Sequence, residues 1–152
     1  MKIVAADPDA RVLTEDEVVA LLREPIVMHL GMVDETGWPV VNPVWHVFEN
    51  GGFRVVIGTT SHKAKALRAT RRAYFTVDTG GAADDARGVR GRATVQLVEG
   101  NVDRAVDVSR KALLKYTGTD KGPYAEEMLS WARAGRTSVV ELTPTQFRAF
   151  AY

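Results

Sequence analysis

The stretch "FRVVIGTTSHKAKALR", Phe53–Arg68, carries the reading from which the rest of the chain is arranged. Phe53–Ile57 is apolar and β-branched apart from Arg54, so it reads as a half-buried to buried strand. Gly58, Thr59 and Thr60 end it, and Ser61 is a good N-cap for the short helix that follows. Lys63 and Lys65 then crowd the first helical turn. A helix N-terminus already carries about half a positive charge, so ammonium groups are unfavourable there. Two readings remain open. The basic run "KAKALRATRR" can be a solvated helix face. Alternatively, free N–H groups, the hydroxyls of Thr59, Thr60 and Ser61, and the two lysines converge on a phosphate. Residues two apart on a helix diverge by about 200°, so one lysine would grip that group while the other reaches a second one.

Upstream, Thr14 with Glu17 three residues later forms a capping-box pattern ahead of Val18, Leu21 and Leu22, and Pro25 ends that helix. Ile26–Val33 reads as a buried strand, and "DETG" turns the chain into a second strand, Trp38–Glu49. Pro39 and Pro43 fall on one side of it, so this strand belongs at an edge, a rim or a bulge. "ENGG" is a hairpin signal leading back to Phe53. Downstream, "AYFTVDT" and "VRGRATVQLVEG" are the fourth and fifth strands, separated by a Gly/Ala/Asp-rich loop, Gly80–Asp85. Val102, Ala105, Val106, Ser109, Leu113 and Tyr116 share one helical face, and Tyr124, Met128 and Trp131 mark another. "TSVVELTP" is a sixth strand. Tight turns among the early strands and a single helix inserted among the first five predict a mainly β fold with flanking helices. The expected form is one domain over residues 1–152, a six-stranded antiparallel sheet curled towards a barrel. Alternating βαβα order is absent, which argues against a doubly wound dinucleotide fold.

Composition narrows the function classes. The 152 residues contain no cysteine, excluding disulfides and thiolate chemistry. A net charge of +1 argues against general nucleic-acid binding, while leaving room for a local basic pocket. The N-terminal residues lack the apolar segment of a signal peptide, and no apolar run approaches the roughly 20 residues of a membrane span. A cytoplasmic protein with no membrane partner is expected.

The order "GWPVVNPVW", "FRVVIGTTSHKAKALR", "RRAYFTVD" and "GRATVQL", over roughly Leu30–Glu99, resembles the pyridoxamine 5'-phosphate oxidase-like split β-barrel family. That family includes FMN-dependent and deazaflavin (coenzyme F-420) dependent oxidoreductases. The resemblance implies a homodimer with the cofactor in a groove at the subunit interface. By position, Val44 and Trp45 would back the ring system, Thr59, Thr60 and Ser61 would line the ribityl chain and phosphate, and Lys63 and Lys65 would hold the phosphate. Gln96 would touch the ring from the strand after "GRA". "PVW" and "KAKALR" are similar to the deazaflavin branch, and Arg68, Arg71 and Arg72 would attract the acidic tail of coenzyme F-420. The C-terminal "TPTQFRAFAY" shows no clear counterpart of the arginine-bearing segment of true pyridoxamine-phosphate oxidases, although Arg148 is nearby. Hydride transfer to a small unsaturated or conjugated substrate is therefore expected, rather than vitamin B6 oxidation. The alternative is a flavin or deazaflavin carrier or sensor without turnover.

His29, His46 and His62 fall on separate elements without ligand spacing, so no metal site is expected. His29 reads as a core histidine, and His46 has both faces of its strand open to it. Trp131 is expected in helix packing or a subunit contact, and Tyr116 and Tyr124 would narrow the pocket from a second subunit. The acidic pair Asp84–Asp85 reads as solvated.

Overall fold

The structure, a computed structural model, describes residues 1–81 and 85–152. Asp84 lies outside the described residues, and Asp85 is exposed and paired with Arg87. The chain opens with β1 (Ile3–Ala5) and then α1 (Glu15–Arg23). The expected capping box is complete: the Glu17 amide donates to Thr14 Oγ1 at 3.2 Å, and the Thr14 amide donates to Glu17 Oε2 at 2.8 Å. Val18, Leu21 and Leu22 are buried on its inner face.

The antiparallel pair β2 (Met28–Val33) and β3 (Pro39–Val44) follows, then β4 (Val47–Glu49) and β5 (Gly52–Gly58). β4 and β5 are joined by Asn50 and Gly51, both at positive φ, the type I′ geometry that the "ENGG" signal predicts. Next come α2 (His62–Thr70), β6 (Arg72–Asp78), β7 (Arg87–Val98), α3 (Val102–Thr117), α4 (Pro123–Arg133), β8 (Thr137–Pro144) and β9 (Phe147–Ala151).

Among the described residues nine strands form where six are predicted. β1 and β9 are short and stabilise each other as a parallel pair, so nothing in their local sequence marks them. The single strand expected over Trp38–Glu49 breaks at Trp45 and His46 into β3 and β4. That break explains the fold. The sheet runs β3-β2-β6-β7-β8-β5-β4, so its two ends are the two halves of the broken strand. Two connecting residues span only about 10 Å, so the sheet must curl until its ends meet. The product is a curled, largely antiparallel half-barrel with helices at its flanks. β3 is a terminal strand, as its two prolines require.

Phe53, Phe75 and Phe147 fill the barrel, with ring centroids 4.9 to 6.1 Å apart. Offset aromatic packing of this kind adds about 0.5–1.5 kcal/mol per pair beyond area burial. α3 buries Ala105, Val108, Ser109, Ala112 and Leu113, so the observed face keeps part of the predicted one but leaves Val102 exposed. Arg104 and Lys111 of α3 both bond Glu49, at 2.7 and 3.0 Å, which ties the helix to β4. Contrary to expectation, His29 is exposed, because β2 buries Met28, Leu30 and Met32 and turns the residues between them outward. Trp131 is about half exposed, with the Arg136 guanidinium 5.8 Å from its ring centroid, so of its two expected places a subunit contact stays open. Among the described residues, no helix is long and apolar enough to cross a membrane, and no group of three His, Asp or Glu is placed to hold a metal.

Candidate functional site

The start of α2 faces the β2–β3 hairpin across a cavity of about 500 Å³. Ser61 caps the helix through Oγ, which accepts from the Ala64 amide at 3.2 Å. The amides of His62 and Lys63 have no acceptor within the helix, as in any first turn. Ser61, His62 and Lys63 line the cavity on the helix side, and Met32, Val40 and Asn42 line it on the sheet side. Asp34, Glu35 and Thr36 of the hairpin turn close one end.

The two carboxylates there are already committed. Asp34 Oδ1 accepts from Thr36 Oγ1 at 2.7 Å, from the Thr36 amide at 2.8 Å and from the Trp38 amide at 3.0 Å. These bonds, the Thr36 hydroxyl foremost, hold its carboxyl below the usual range. Glu35 is likewise held low, by its own backbone amide and by Lys65. Lys65 Nζ lies 3.1 Å from Glu35 Oε1. The two lysines therefore diverge as helical geometry demands: Lys63 lines the cavity and Lys65 neutralises the acid at its rim.

Of the eight residues singled out by sequence, Ser61 and Lys63 line this cavity, and Lys65 reaches it through Glu35. Thr60 is exposed beside the helix start. Thr59 turns away: its hydroxyl shares a 2.9 Å hydrogen bond with Ser138, and its carbonyl accepts from Arg68. Arg68 is itself bonded to Glu99 at 2.9 Å, so it is occupied within the chain. Gln96 is exposed on β7 in register with Glu141 and does not line the cavity. Val44 is buried in the barrel core. Asn42 and Glu35 were not foreseen. The available signal for Asn42 was a lone amide between two prolines in an otherwise apolar strand.

Trp45 sits at the break between β3 and β4, stacked on Tyr116 with centroids 4.9 Å apart and planes 4° from parallel. Tyr124 meets it edge-on at 6.0 Å. Both tyrosines come from the same chain as Trp45. Beside them His46 is fully buried. Its amide donates to Tyr116 Oη at 3.1 Å, and Tyr116 Oη donates to the Ile26 carbonyl at 2.8 Å. Lys115 Nζ donates to the carbonyls of Leu22 (2.8 Å) and His46 (3.0 Å). Burial, then the Lys115 charge, pushes the imidazole down to about 3. Burial takes Lys115 down to about 8 and, against the lowering effect of the His46 amide bond, takes Tyr116 up to about 12. This polar cluster closes the half-barrel, with both main-chain groups of His46 hydrogen-bonded. It lies among the core elements rather than on the α2 cavity.

The residues at α2 fit the phosphate of a flavin or deazaflavin. Two free amides, the Ser61 hydroxyl and a half-buried ammonium converge there, while the acids nearby are neutralised or bound within the turn.

Comparison with known proteins places this geometry in context. No curated protein matches the chain. Among solved structures, a conserved hypothetical protein of Mycobacterium tuberculosis superposes with a TM-score of 0.79 at 19% identity, over 95% of this chain and 88% of that one. An F420 reductase superposes at 0.64 with 22% identity, over 84% and 93%. The heme storage protein HutZ of Vibrio cholerae superposes at 0.68 with 17% identity, over 90% and 93%. At such identities these likenesses show a shared fold. The profile of the pyridoxamine 5'-phosphate oxidase family matches residues 14–151, well beyond the segment that carries the resemblance in sequence. With nearly its whole length matched, the chain belongs to the pyridoxamine 5'-phosphate oxidase family.

Proposed function

We propose that the chain is an oxidoreductase that binds coenzyme F-420 or FMN and transfers a hydride to a small unsaturated or conjugated molecule. The observation that carries this reading is the half-buried Lys63, beside the open amides of α2, facing Met32, Val40 and Asn42 across a cavity whose nearby acids are bound within the turn or paired with Lys65. Ser61, Lys63 and the amides of His62 and Lys63 would hold the phosphate. Asn42 would orient the polar chain of the cofactor. The bound cofactor would supply the hydride chemistry, and the protein its orientation and electrostatics. Family membership and the fold shared with an F420 reductase support the choice of cofactor class.

A homodimer belongs to the same proposal. Val33, Val41 and Tyr74 form an exposed apolar set on the outer side of β2, β3 and β6. A second copy of the chain would cover this set. Light scattering should give twice the chain mass, and Val41→Glu should give the monomer.

The cofactor test is direct. FMN and coenzyme F-420 are titrated separately into the protein and into Lys63→Ala. A lost charge-assisted contact weakens binding by about ten- to a hundredfold. Equal affinities for the variant and the parent, with both cofactors, would place the phosphate elsewhere.

A carrier without turnover is the second reading. It draws on the commitment of Asp34 to the hairpin turn and of Glu35 to Lys65, which leaves His62 as the lining group able to move a proton. Oxidation of the reduced cofactor by enones or quinones separates the two. Tight binding with no oxidation of the cofactor by any acceptor would favour the carrier.

A further inference from the structure

Thr59, Thr60 and Ser61 carry the chain from the end of β5 into α2. Fixing each residue of such a connection costs about 1–2 kcal/mol of backbone entropy, so a turn that presents free amides at one place needs bonds to hold it. Thr59 makes them. Its amide donates to the Arg136 carbonyl at 2.9 Å, its hydroxyl shares a 2.9 Å bond with Ser138 Oγ, and its carbonyl accepts from Arg68 Nη2 at 2.6 Å. The Ser61 amide then donates to the Gly58 carbonyl at 3.0 Å and closes the turn.

Arg68 stands in the last turn of α2 and reaches back along the helix to the turn ahead of it. The same guanidinium donates from Nε to Glu99 Oε1 at 2.9 Å. A planar fork fixes both acceptors in one orientation, which a lysine ammonium would not. Glu99 follows the last residue of β7, where Val98 pairs with Val139, so it lies beside the buried Ser138. Its carboxyl is held below the usual range, by the Arg68 bond foremost and by the Ser138 hydroxyl to a lesser degree. Thr59, Ser138, Glu99 and Arg68 thus form a closed ring of hydrogen bonds that ties the ends of β5 and β7 to β8 and α2.

The Arg68–Glu99 pair is 37% and 41% exposed, and ion pairs open to water add little to stability. What the ring fixes is the backbone directly ahead of the α2 amides. Resting on the phosphate position proposed above, we infer that Arg68 and Glu99 are positioning residues for that site. Through the Thr59 carbonyl they set the direction of the Ser61 hydroxyl and of the His62 and Lys63 amides. Neither lines the cavity, so both act through the turn. A binding site keeps its full strength only while its groups stay within about 0.5 Å of their working positions.

The test titrates the full chain with ligands that share a ring and differ in the phosphate. FMN is compared with riboflavin, and coenzyme F-420 with its phosphate-free deazariboflavin core. The parent chain should prefer the phosphate-bearing member of each pair. Glu99→Gln and Arg68→Gln should each weaken that member by about five- to tenfold and leave the phosphate-free one within about twofold. The sign for Glu99→Gln is decisive, because loss of a carboxylate acting only through its field would strengthen phosphate binding. The double variant should fall no further than Arg68→Gln alone, since both changes open one ring. Arg11→Gln breaks an ion pair of comparable exposure on α1 and should leave every affinity unchanged.

Equal weakening of phosphate-bearing and phosphate-free ligands would assign the ring to general stability and overturn the positioning role. Unchanged or tighter phosphate binding in Glu99→Gln would overturn it as well. Lys63→Ala separates this failure from that of the phosphate reading. If Lys63→Ala abolishes the preference for the phosphate while the ring variants keep it, the positioning role alone is wrong. If Lys63→Ala keeps the preference, or the parent chain has none, the phosphate position is wrong and the positioning role falls with it.

Discussion

Lys65 Nζ and Glu35 Oε1 lie 3.1 Å apart, joining the first turn of α2 to the β2–β3 turn at the rim of the cavity. The contact accounts for one of the two lysines that crowd a helix N-terminus. It also places a carboxylate beside the proposed phosphate position. Glu35→Gln should therefore raise the affinity for FMN or coenzyme F-420 by roughly three- to tenfold, and more at low salt than at high. Stability should hardly change, because exposed ion pairs contribute little. Fluorescence titration at two ionic strengths checks it, and weaker binding in the variant would count against the phosphate position.

The buried cluster at the strand break should make stability depend on pH in two windows. His46 is near 3 in the folded chain against an ordinary 6.5. Between those values the unfolded chain binds a proton that the folded one refuses, so its contribution is complete above 6.5 and is lost as pH falls towards 3. Lys115 is near 8 in the folded chain against 10.5 ordinarily, so stability should rise as pH climbs from 8 towards 10.5. The His46 effect is on the order of a few kcal/mol at most. Carbon-bound imidazole protons report it directly by NMR. Those of His46 should stay fixed down to about pH 4. An imidazole titration of His46 near pH 6.5 would contradict the burial.

Tyr116→Phe keeps the ring on Trp45 but removes the hydroxyl that bridges the Ile26 carbonyl and the His46 amide. Orphaning buried main-chain groups costs about 1–3 kcal/mol. Tyr116→Ala should cost more, since it also loses the stacking. Urea unfolding of the two variants orders them, and equal midpoints for Tyr116→Phe and the parent chain would show that water replaces the hydroxyl.

Gly91→Ala should destabilise the chain by about 1–3 kcal/mol. A Cβ at this position would lie 2.5 Å from the Gln146 carbonyl oxygen and 3.2 Å from the Phe75 ring. The obstacle on one side is main chain, so the β8–β9 turn would have to move. Thermal unfolding measures the loss, and equal melting temperatures for the variant and the parent chain would show that the turn accommodates the methyl group.

Local chemistry specifies several features directly. Thr14 and Glu17 bond each other as their spacing demands, Asn50 and Gly51 make the hairpin, and Ser61 caps α2. The helix phase also separates Lys63 from Lys65, as their spacing predicts. Other placements had no such signal. Thr59 sits next to Ser61 in the chain, yet its hydroxyl is taken by Ser138, which is 79 residues away. His29 looked like a core residue because its neighbours are apolar, but strand alternation turns it out and buries Met28 and Leu30.

By itself the sequence determined where helices begin, where hairpins turn, and that a basic helix start follows a buried strand, because these depend on contacts within a few residues. Only the tertiary structure decided that β3 and β4 are the two ends of one curled sheet, and that Trp45 rests on Tyr116 of its own chain. It also decided that Thr59, Arg68, Glu99 and Ser138 close a ring of hydrogen bonds beside the start of α2. These arrangements join residues tens of positions apart, and their energy comes from closing the sheet as a whole, a quantity that no local window of sequence contains.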